Sequence, residues 1–280
     1  MKECVIKVDD LYFTYPTGVT ALRGINTEIF KGEVTAIIGQ NGSGKTTLAK
    51  HFNGLLKPTK GSVLVYGKDT RQYKQRELVS KVGYVFQNPT HQLFNTSIEA
   101  EIAFGPTNLG LNAEEVRERI EEAIRLFGLE KHRNVHPLRL SYPYRKLVAI
   151  ASIYAMHPEI MILDEPTIAQ DFLGWMLIFK TVNDLKSNGK TVIVITHDML
   201  LVSMVVDRCL VMTDGKIIAD KTPRELFIDD STLKQAFLRP PQITQLARRL
   251  SENIVGIPPN VLTVEEMFEI LSAKLQTSSL

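Results

Sequence analysis

Short apolar runs rich in β-branched residues alternate with stretches of helical spacing along this chain, and that alternation predicts most of its elements. Val5–Val8, Thr27–Phe30, Glu33–Ile38, Ser62–Tyr66, Val82–Phe86, Ile160–Leu163, Thr191–Ile195 and Cys209–Thr213 read as strands. The last of these pairs with Lys216–Ala219 across Asp214-Gly215, a hairpin signal. A turn-rich segment, Phe13-Thr-Tyr15-Pro16-Thr-Gly18, separates the first two. Helical pattern begins after Gly44, resumes from Ser97, and recurs at Asn112–Phe127, where Asn112 is the N-cap and Gly128 the stop. Leu147–Met156 is a largely apolar helix with Ser141 placed as N-cap and Pro143 in its first turn. Another helix runs through Trp175 to Lys186 and stops at Ser-Asn-Gly189.

From Ser231 the pattern changes. Arg239-Pro-Pro241 and Ile257-Pro-Pro259 break the chain around two helical segments, Ile243–Leu250 and Val264–Leu275. We expect one large domain over 1–230, with a helical subdomain at about 90–157, and a helical extension over 231–280. The extension's apolar positions fit either a dimer contact or packing on the core.

The chemistry starts at Gly39-Gln-Asn41-Gly42-Ser43-Gly44-Lys45-Thr46-Thr47, which matches G-x-x-x-x-G-K-[ST] between a strand and a helix. Glycines let successive N–H groups turn toward phosphate oxygens, and the helix N-terminus adds positive charge. Lys45 would reach the β- and γ-phosphates, and the Thr46 hydroxyl would ligate Mg²⁺. The chain binds a nucleoside triphosphate. Ile160-Met-Ile-Leu163-Asp164-Glu165 ends a buried strand in two acids, the first placed to hold Mg²⁺ and the second to act as general base on water. Gln87 and His197 follow other strands. A parallel sheet would bring both to the same carboxyl edge as the acids, where ligands of open α/β sheets bind. Tyr15 is the candidate to stack on the base, a contact worth about 1–3 kcal/mol; a tyrosine packed beside a Pro-Gly turn is the other reading of it. His132 and His136 sit in a loop without Cys or carboxylate ligands and read as solvated.

Composition narrows the class without naming it. Hydrophobic residues make up 44% and charged residues 23%, so a packed core is expected rather than disorder. The net charge of +2 makes no electrostatic case for a nucleic-acid partner. Cys4 and Cys209 lack metal-ligand spacing and read as small core residues in a reducing compartment. No run approaches the ~20 apolar residues of a membrane span.

Taken together, these motifs resemble the nucleotide-binding subunits of ATP-binding cassette (ABC) transporters over most of residues 3–230. The resemblance implies an α/β fold: a P-loop core of mixed sheet with a helical subdomain, an N-terminal antiparallel β subdomain and a small C-terminal helical extension. It makes Gln87 the Q-loop residue, Asp164 the end of Walker B, Glu165 the catalytic base, Ile168–Asp171 the D-loop, and His197 the switch histidine. Tyr15 matches the adenine-stacking aromatic. Phe13-Thr-Tyr-Pro-Thr-Gly18, Gln87-Asn-Pro-Thr-His-Gln-Leu-Phe94 and the Pro240–Ala247 tail are most similar to the ATPases of energy-coupling-factor (ECF) importers of vitamins or Co²⁺/Ni²⁺.

The signature loop departs from the family. Where the family has Leu-Ser-Gly-Gly-Gln, this chain has Leu140-Ser141-Tyr142-Pro143-Tyr144. In a head-to-tail dimer that loop closes over the partner's γ-phosphate. Tyr142 adds bulk and Pro143 removes a donor, and each lost donor would cost roughly 2–4 kcal/mol of transition-state stabilisation. The D-loop departs too, with Ile168-Ala-Gln170 in place of Ala-Gly-Leu or Ser-Ala-Leu. Arg145 and Lys146, next in line, have no physical account in the sequence, except that cations there would partly replace the missing phosphate donors.

The function this implies is Mg²⁺-dependent ATP hydrolysis powering import. The chain would be one half of an asymmetric heterodimer whose other ATPase carries an intact signature. Both would sit on the cytoplasmic face of the membrane, with a transmembrane coupling subunit and a substrate-binding membrane subunit, and with no nucleic acid. The coupling segment would dock around His91–Phe94, whose apolar side chains fit ordinary surface packing equally well. Two alternatives are a regulatory subunit that clamps ATP with little turnover, and a soluble non-transport ABC ATPase.

Overall fold

The computed structural model describes residues 2–277. Strands β1 (Cys4–Thr14) and β2 (Thr20–Phe30) form an antiparallel hairpin, longer than the short apolar runs suggested. Phe13 and Thr14 extend β1, and the turn shrinks to Tyr15–Val19, closed by Tyr15 N–H to Val19 C=O and Gly18 N–H to Tyr15 C=O, both 2.9 Å. Register shifts near Asp10, whose φ is 45°, break the alternation that would have shown one continuous strand. The chain then forms β3 (Val34–Gly39), α1 (Lys45–Phe52), β4 (Lys60–Val65), the short β5 (Lys68–Asp69), α2 (Gln75–Lys81) and β6 (Val82–Val85). Three helices follow, α3 (Ile98–Asn108), α4 (Ala113–Leu126) and α5 (Tyr142–Tyr154). Asn112 caps α4 in a full capping box with Glu115. Next come β7 (Ile160–Asp164), α6 (Phe172–Ser187), β8 (Thr191–Ile195), α7 (Met199–Val205), and the hairpin of β9 (Arg208–Thr213) and β10 (Lys216–Lys221). Helices α8 (Pro223–Leu226), α9 (Asp230–Ala236), α10 (Gln242–Ser251) and α11 (Val264–Thr277) complete the chain.

Two sheets divide the molecule. One is antiparallel in the order β2-β1-β4-β5; the other runs β10-β9-β3-β8-β7-β6, parallel from β9 to β6 with β10 antiparallel at its edge. The second sheet is buried on both faces, which is why its strands show apolar runs without polar alternation. Along β8, Val192 and Val194 face the helices while Ile193 and Ile195 face the antiparallel sheet. The same division holds for Met161 and Leu163 against Ile160 and Ile162 on β7. Each face thus has its own core. Leu233 and Ala236 of α9 still pack in the helical core, and a separate small cluster of Ala247, Ile257, Val261 and Met267 begins with α10. Cys209 is buried as expected, but Cys4 is only half-buried at the end of the hairpin.

Parallel pairing aligns the strand ends. β3 ends at Gly39, β6 just before Phe86-Gln87, β7 at Asp164 and β8 just before Thr196-His197, all on one edge.

Candidate functional site

A cavity of about 520 Å³ opens at that edge, lined by Tyr15, Asn41, Gly42, Gly44, Lys45, Thr46, Thr47, Gln87 and Glu165. Its floor is the turn from β3 into α1. Gly39 has φ 144°, and a Cβ there would lie 2.1 Å from the Met212 carbonyl oxygen, so no side chain fits. Gly42, at φ 80°, has nothing within 4 Å of its Cβ direction. It supplies only the left-handed backbone, and leaves room for a ligand to approach. Ser43 is buried, its amide donates to the Gln40 carbonyl at 3.2 Å, and its carbonyl accepts from Gly215 N–H at 3.1 Å. Gly44 stands at the head of α1 with no side-chain cap, so the first N–H groups of the helix face the cavity. Lys45 Nζ donates to the carbonyls of Gly39 and Gln40 at 2.8 and 2.7 Å. Burial lowers its pKa, and the charges of Glu165 and Asp164 oppose that.

Thr46 and Asp164 meet, the hydroxyl 3.2 and 3.1 Å from the two carboxylate oxygens. Tyr84, buried on β6, donates its hydroxyl to Asp164 Oδ2 at 2.8 Å. Burial raises the Asp164 carboxyl above the usual carboxylate range, while the Tyr84 and Thr46 hydrogen bonds and the charges of Lys146 and Lys50 pull it down. A hydroxyl, a carboxylate and, at the cavity wall, the Gln87 amide are hard oxygen donors, the set Mg²⁺ prefers. No group of three or more His, Cys, Asp or Glu among the described residues is arranged to hold a metal ion by itself. The donors therefore suit an ion shared with phosphate oxygens rather than one caged by protein.

Glu165 is 6% exposed and adopts φ 48°, a left-handed backbone that costs a non-glycine residue roughly 1 kcal/mol or more. Its N–H donates to the Ile195 carbonyl at 2.8 Å, fixing the turn after β7 to the end of β8. That places its carboxylate beside His197, Nδ1 lying 3.1 Å from Oε1. Tyr15 leans on the same cavity: its hydroxyl pairs with Thr47 at 2.9 Å, and its ring meets Phe13 edge-on at 4.8 Å. Asp171 caps α6, accepting from Gly174 N–H at 2.8 Å. The Gln170 amide beside it is buried without a hydrogen-bond partner among the described residues.

The signature segment stands apart from this cavity. Ser141 occupies the N-cap position of α5 but its hydroxyl makes no capping bond, and Tyr142 and Pro143 form the first turn. The first intrahelical bond runs from Arg145 N–H to the Ser141 carbonyl at 3.0 Å, so Tyr142 and Tyr144 carry the turn's free amides and Pro143 none. Tyr144 is exposed and packs edge-on against His132. Arg145 and Lys146 do not offset the missing donors. The Arg145 guanidinium donates to the carbonyls of Leu140 and Leu138 at 2.8 and 2.7 Å. Lys146 is fully buried, with Nζ on the carbonyls of Phe86 and Gln87. Burial lowers Lys146 to about 8, with Asp164 and Glu165 raising it against that trend.

Tyr84 is the site residue that sequence reasoning missed, and Lys146, read there as a phosphate-facing cation, is the one it misplaced. Each carries a polar group into an apolar element, and a buried hydroxyl or ammonium must find a partner. That interruption is the signal that was available.

A glycine turn with a lysine at a helix N-terminus, faced by two acids at the end of one strand and a histidine after the next, is the arrangement of a P-loop ATPase of the ABC type. A family model described as ABC transporter matches residues 22–168. The chain belongs to that family and hydrolyses ATP. It is 45% identical over 251 residues to the energy-coupling factor transporter ATP-binding protein EcfA of Methanocaldococcus jannaschii, covering 89% of this chain and 90% of that one. Among solved structures it is similar to cbiO1 of Clostridium perfringens, part of the ABC transporter complex cbiONQ. There the TM-score is 0.73 at 37% identity, over 88% of this chain and 99% of that one. It is also similar to a dimeric ATP-binding cassette in a post-hydrolysis state with ADP and Pi, with TM-score 0.71, 29% identity, and 78% and 98% coverage.

Proposed function

We propose that this chain is the ATPase of an ECF-type importer and works as one half of an asymmetric pair. One observation supports this reading above the others: Lys45, Thr46, Asp164, Glu165 and His197 converge at the sheet edge, while Tyr142 and Pro143 stand in the first turn of α5 where the family has glycines. The residues that would hold ATP are Tyr15, the Gly39–Thr47 cradle and Lys45. Thr46, Asp164 and Gln87 would hold Mg²⁺, which when bound neutralises phosphate charge as it develops. Glu165 takes the proton from the attacking water, and His197 is within reach to orient that carboxylate and the γ-phosphate. Closure of the site would come from the signature of another chain with intact glycines. The site opposite, closed by Ser141–Tyr144, would hold ATP with little turnover.

A groove of about 490 Å³ between α2 and α3 supports a membrane partner. Phe94 and Phe104, 62% and 46% exposed, meet edge-on there at 4.8 Å, an apolar seat for a coupling helix. Gln92 at its floor accepts from Phe86 N–H at 3.2 Å and donates to the Ala149 carbonyl at 2.7 Å, so pressure on the groove reaches both the Q-loop and α5. No helix among the described residues is long and apolar enough to cross a membrane; attachment would be peripheral, through such a seat on the cytoplasmic face. The solute, a vitamin or a transition-metal ion, would be chosen by the membrane subunits. The test is copurification of the full chain with membrane proteins before and after Phe94→Asp with Phe104→Asp. Capture of an integral membrane subunit, lost in the double variant with Tm unchanged, is expected; capture indifferent to both changes would refute the seat.

A further inference from the structure

Lys146 is among the largest fully buried side chains of the described residues, in the company of phenylalanines, and it heads the apolar stretch of α5. An ammonium there is tolerable only with acceptors around it. Its acceptors are the Phe86 carbonyl at 3.3 Å and, closer, the Gln87 carbonyl. Tyr142 lies four residues earlier on the same helix face, and its hydroxyl donates to the same Gln87 carbonyl at 3.4 Å. Two side chains of the altered signature helix therefore converge on the backbone of their own Q-loop. The Gln87 side chain then stands in the wall of the cavity that holds Thr46 and Glu165.

We propose that Lys146, reinforced by Tyr142, is a positioning residue that holds the Gln87 backbone so that its amide faces the magnesium site. The first turn of α5, having lost donors for a partner's phosphate, acts instead on the site of its own subunit. This rests on the reading of Gln87 as a magnesium ligand.

The test uses the full chain with Lys146→Met, Lys146→Arg, Tyr142→Phe and Gln87→Ala. Two quantities are read: hydrogen exchange of amides 86–93 without nucleotide, and ATP affinity by calorimetry in Mg²⁺ and in EDTA. Lys146→Met should speed exchange in 86–93 roughly tenfold, the effect of losing a charge-assisted hydrogen bond. It should also cut the affinity advantage of Mg²⁺ by a similar factor while leaving affinity in EDTA unchanged. Lys146→Arg should recover most of both, and Tyr142→Phe, which removes one long hydrogen bond and little packing, should shift both about two- to threefold. Exchange that rises across all of α3–α5, with affinity falling equally in EDTA, would reduce Lys146 to a packing role and overturn the proposal. So would unchanged exchange. If Gln87→Ala itself keeps the full Mg²⁺ advantage, the reading of Gln87 fails; if Gln87→Ala loses it and Lys146→Met keeps it, the positioning role alone fails.

Discussion

In the proposed pair the sheet edge and the first turn of α5 would both face phosphate, and they are built in opposite ways. At the edge, Lys45, Thr47, Asp164 and Glu165 are all less than 10% exposed, and hydrogen bonds from other strands or loops hold the acids in place. In the first turn of α5, Ser141 and Tyr144 are exposed and the hydroxyl of Ser141 makes no capping bond. The groups proposed to do chemistry for their own subunit are locked by the fold. On the proposed reading the first turn of α5 offers its donors to another subunit; Ser141 and Tyr144 lie on the surface there and only Tyr142 reaches back, to the Gln87 carbonyl, so changes at the exposed positions leave the core undisturbed. On the proposed asymmetric reading, that difference explains how one half of the machinery stays whole while the other departs from the family.

Breaking the locked region should have the largest effect. Glu165→Gln keeps size and backbone but removes the base. Hydrolysis by the assembled ATPase should fall about 10²- to 10⁴-fold with ATP binding retained, as measured by phosphate release and equilibrium titration. Retained hydrolysis would mean that the partner's Walker side does the chemistry.

Repairing the exposed region should have the next largest. Tyr142→Gly with Pro143→Gly returns two close-approaching amides to the turn. At roughly 2–4 kcal/mol per donor, partly offset by helix fraying, the opposite site should gain on the order of tenfold or more in turnover. Site-resolved turnover, with the partner's own base removed as the control, reads this directly. No gain would show that the first turn of α5 is not what limits that site.

The smallest effect sharpens the electrostatic account of the edge. Tyr84→Phe removes one hydrogen bond from a buried carboxylate, worth about 1.5–3 kcal/mol for a charged acceptor. The Asp164 carboxyl should rise further, since a bond that holds it down is gone. With a folded-state value above the unfolded one, this group favours the folded chain most at acid pH, below the unfolded value, and that contribution fades as pH rises. The variant should therefore lose more Tm at pH 8 than at pH 5. Equal losses would place the role of Tyr84 in packing.

Much of this was legible in the sequence because the phosphate cradle and strand ends depend on local chemistry. Gly39, Lys45, Thr46, Asp164 and Glu165 are set by turn geometry and by a buried strand, and parallel pairing then brings Gln87 and His197 to them. What stayed hidden depends on contacts distant along the chain. Arg145 and Lys146 look alike beside a phosphate-facing loop. Only the packing of α5 against the segment after β6 shows that Lys146 points inward to the Gln87 carbonyl. The full length of β1 was concealed by its bulge near Asp10, where the alternation that marks a half-buried strand slips.

The most direct test of the asymmetric account is steady-state ATP hydrolysis by the purified full chain, alone and mixed with an ATPase subunit carrying an intact Leu-Ser-Gly-Gly-Gln signature. Little hydrolysis alone, rising about a hundredfold on mixing and abolished by Glu165→Gln in this chain, is the expected result. Full hydrolysis by the chain alone would contradict it, because both of its sites would then be working with the Tyr142-Pro143-Tyr144 turn.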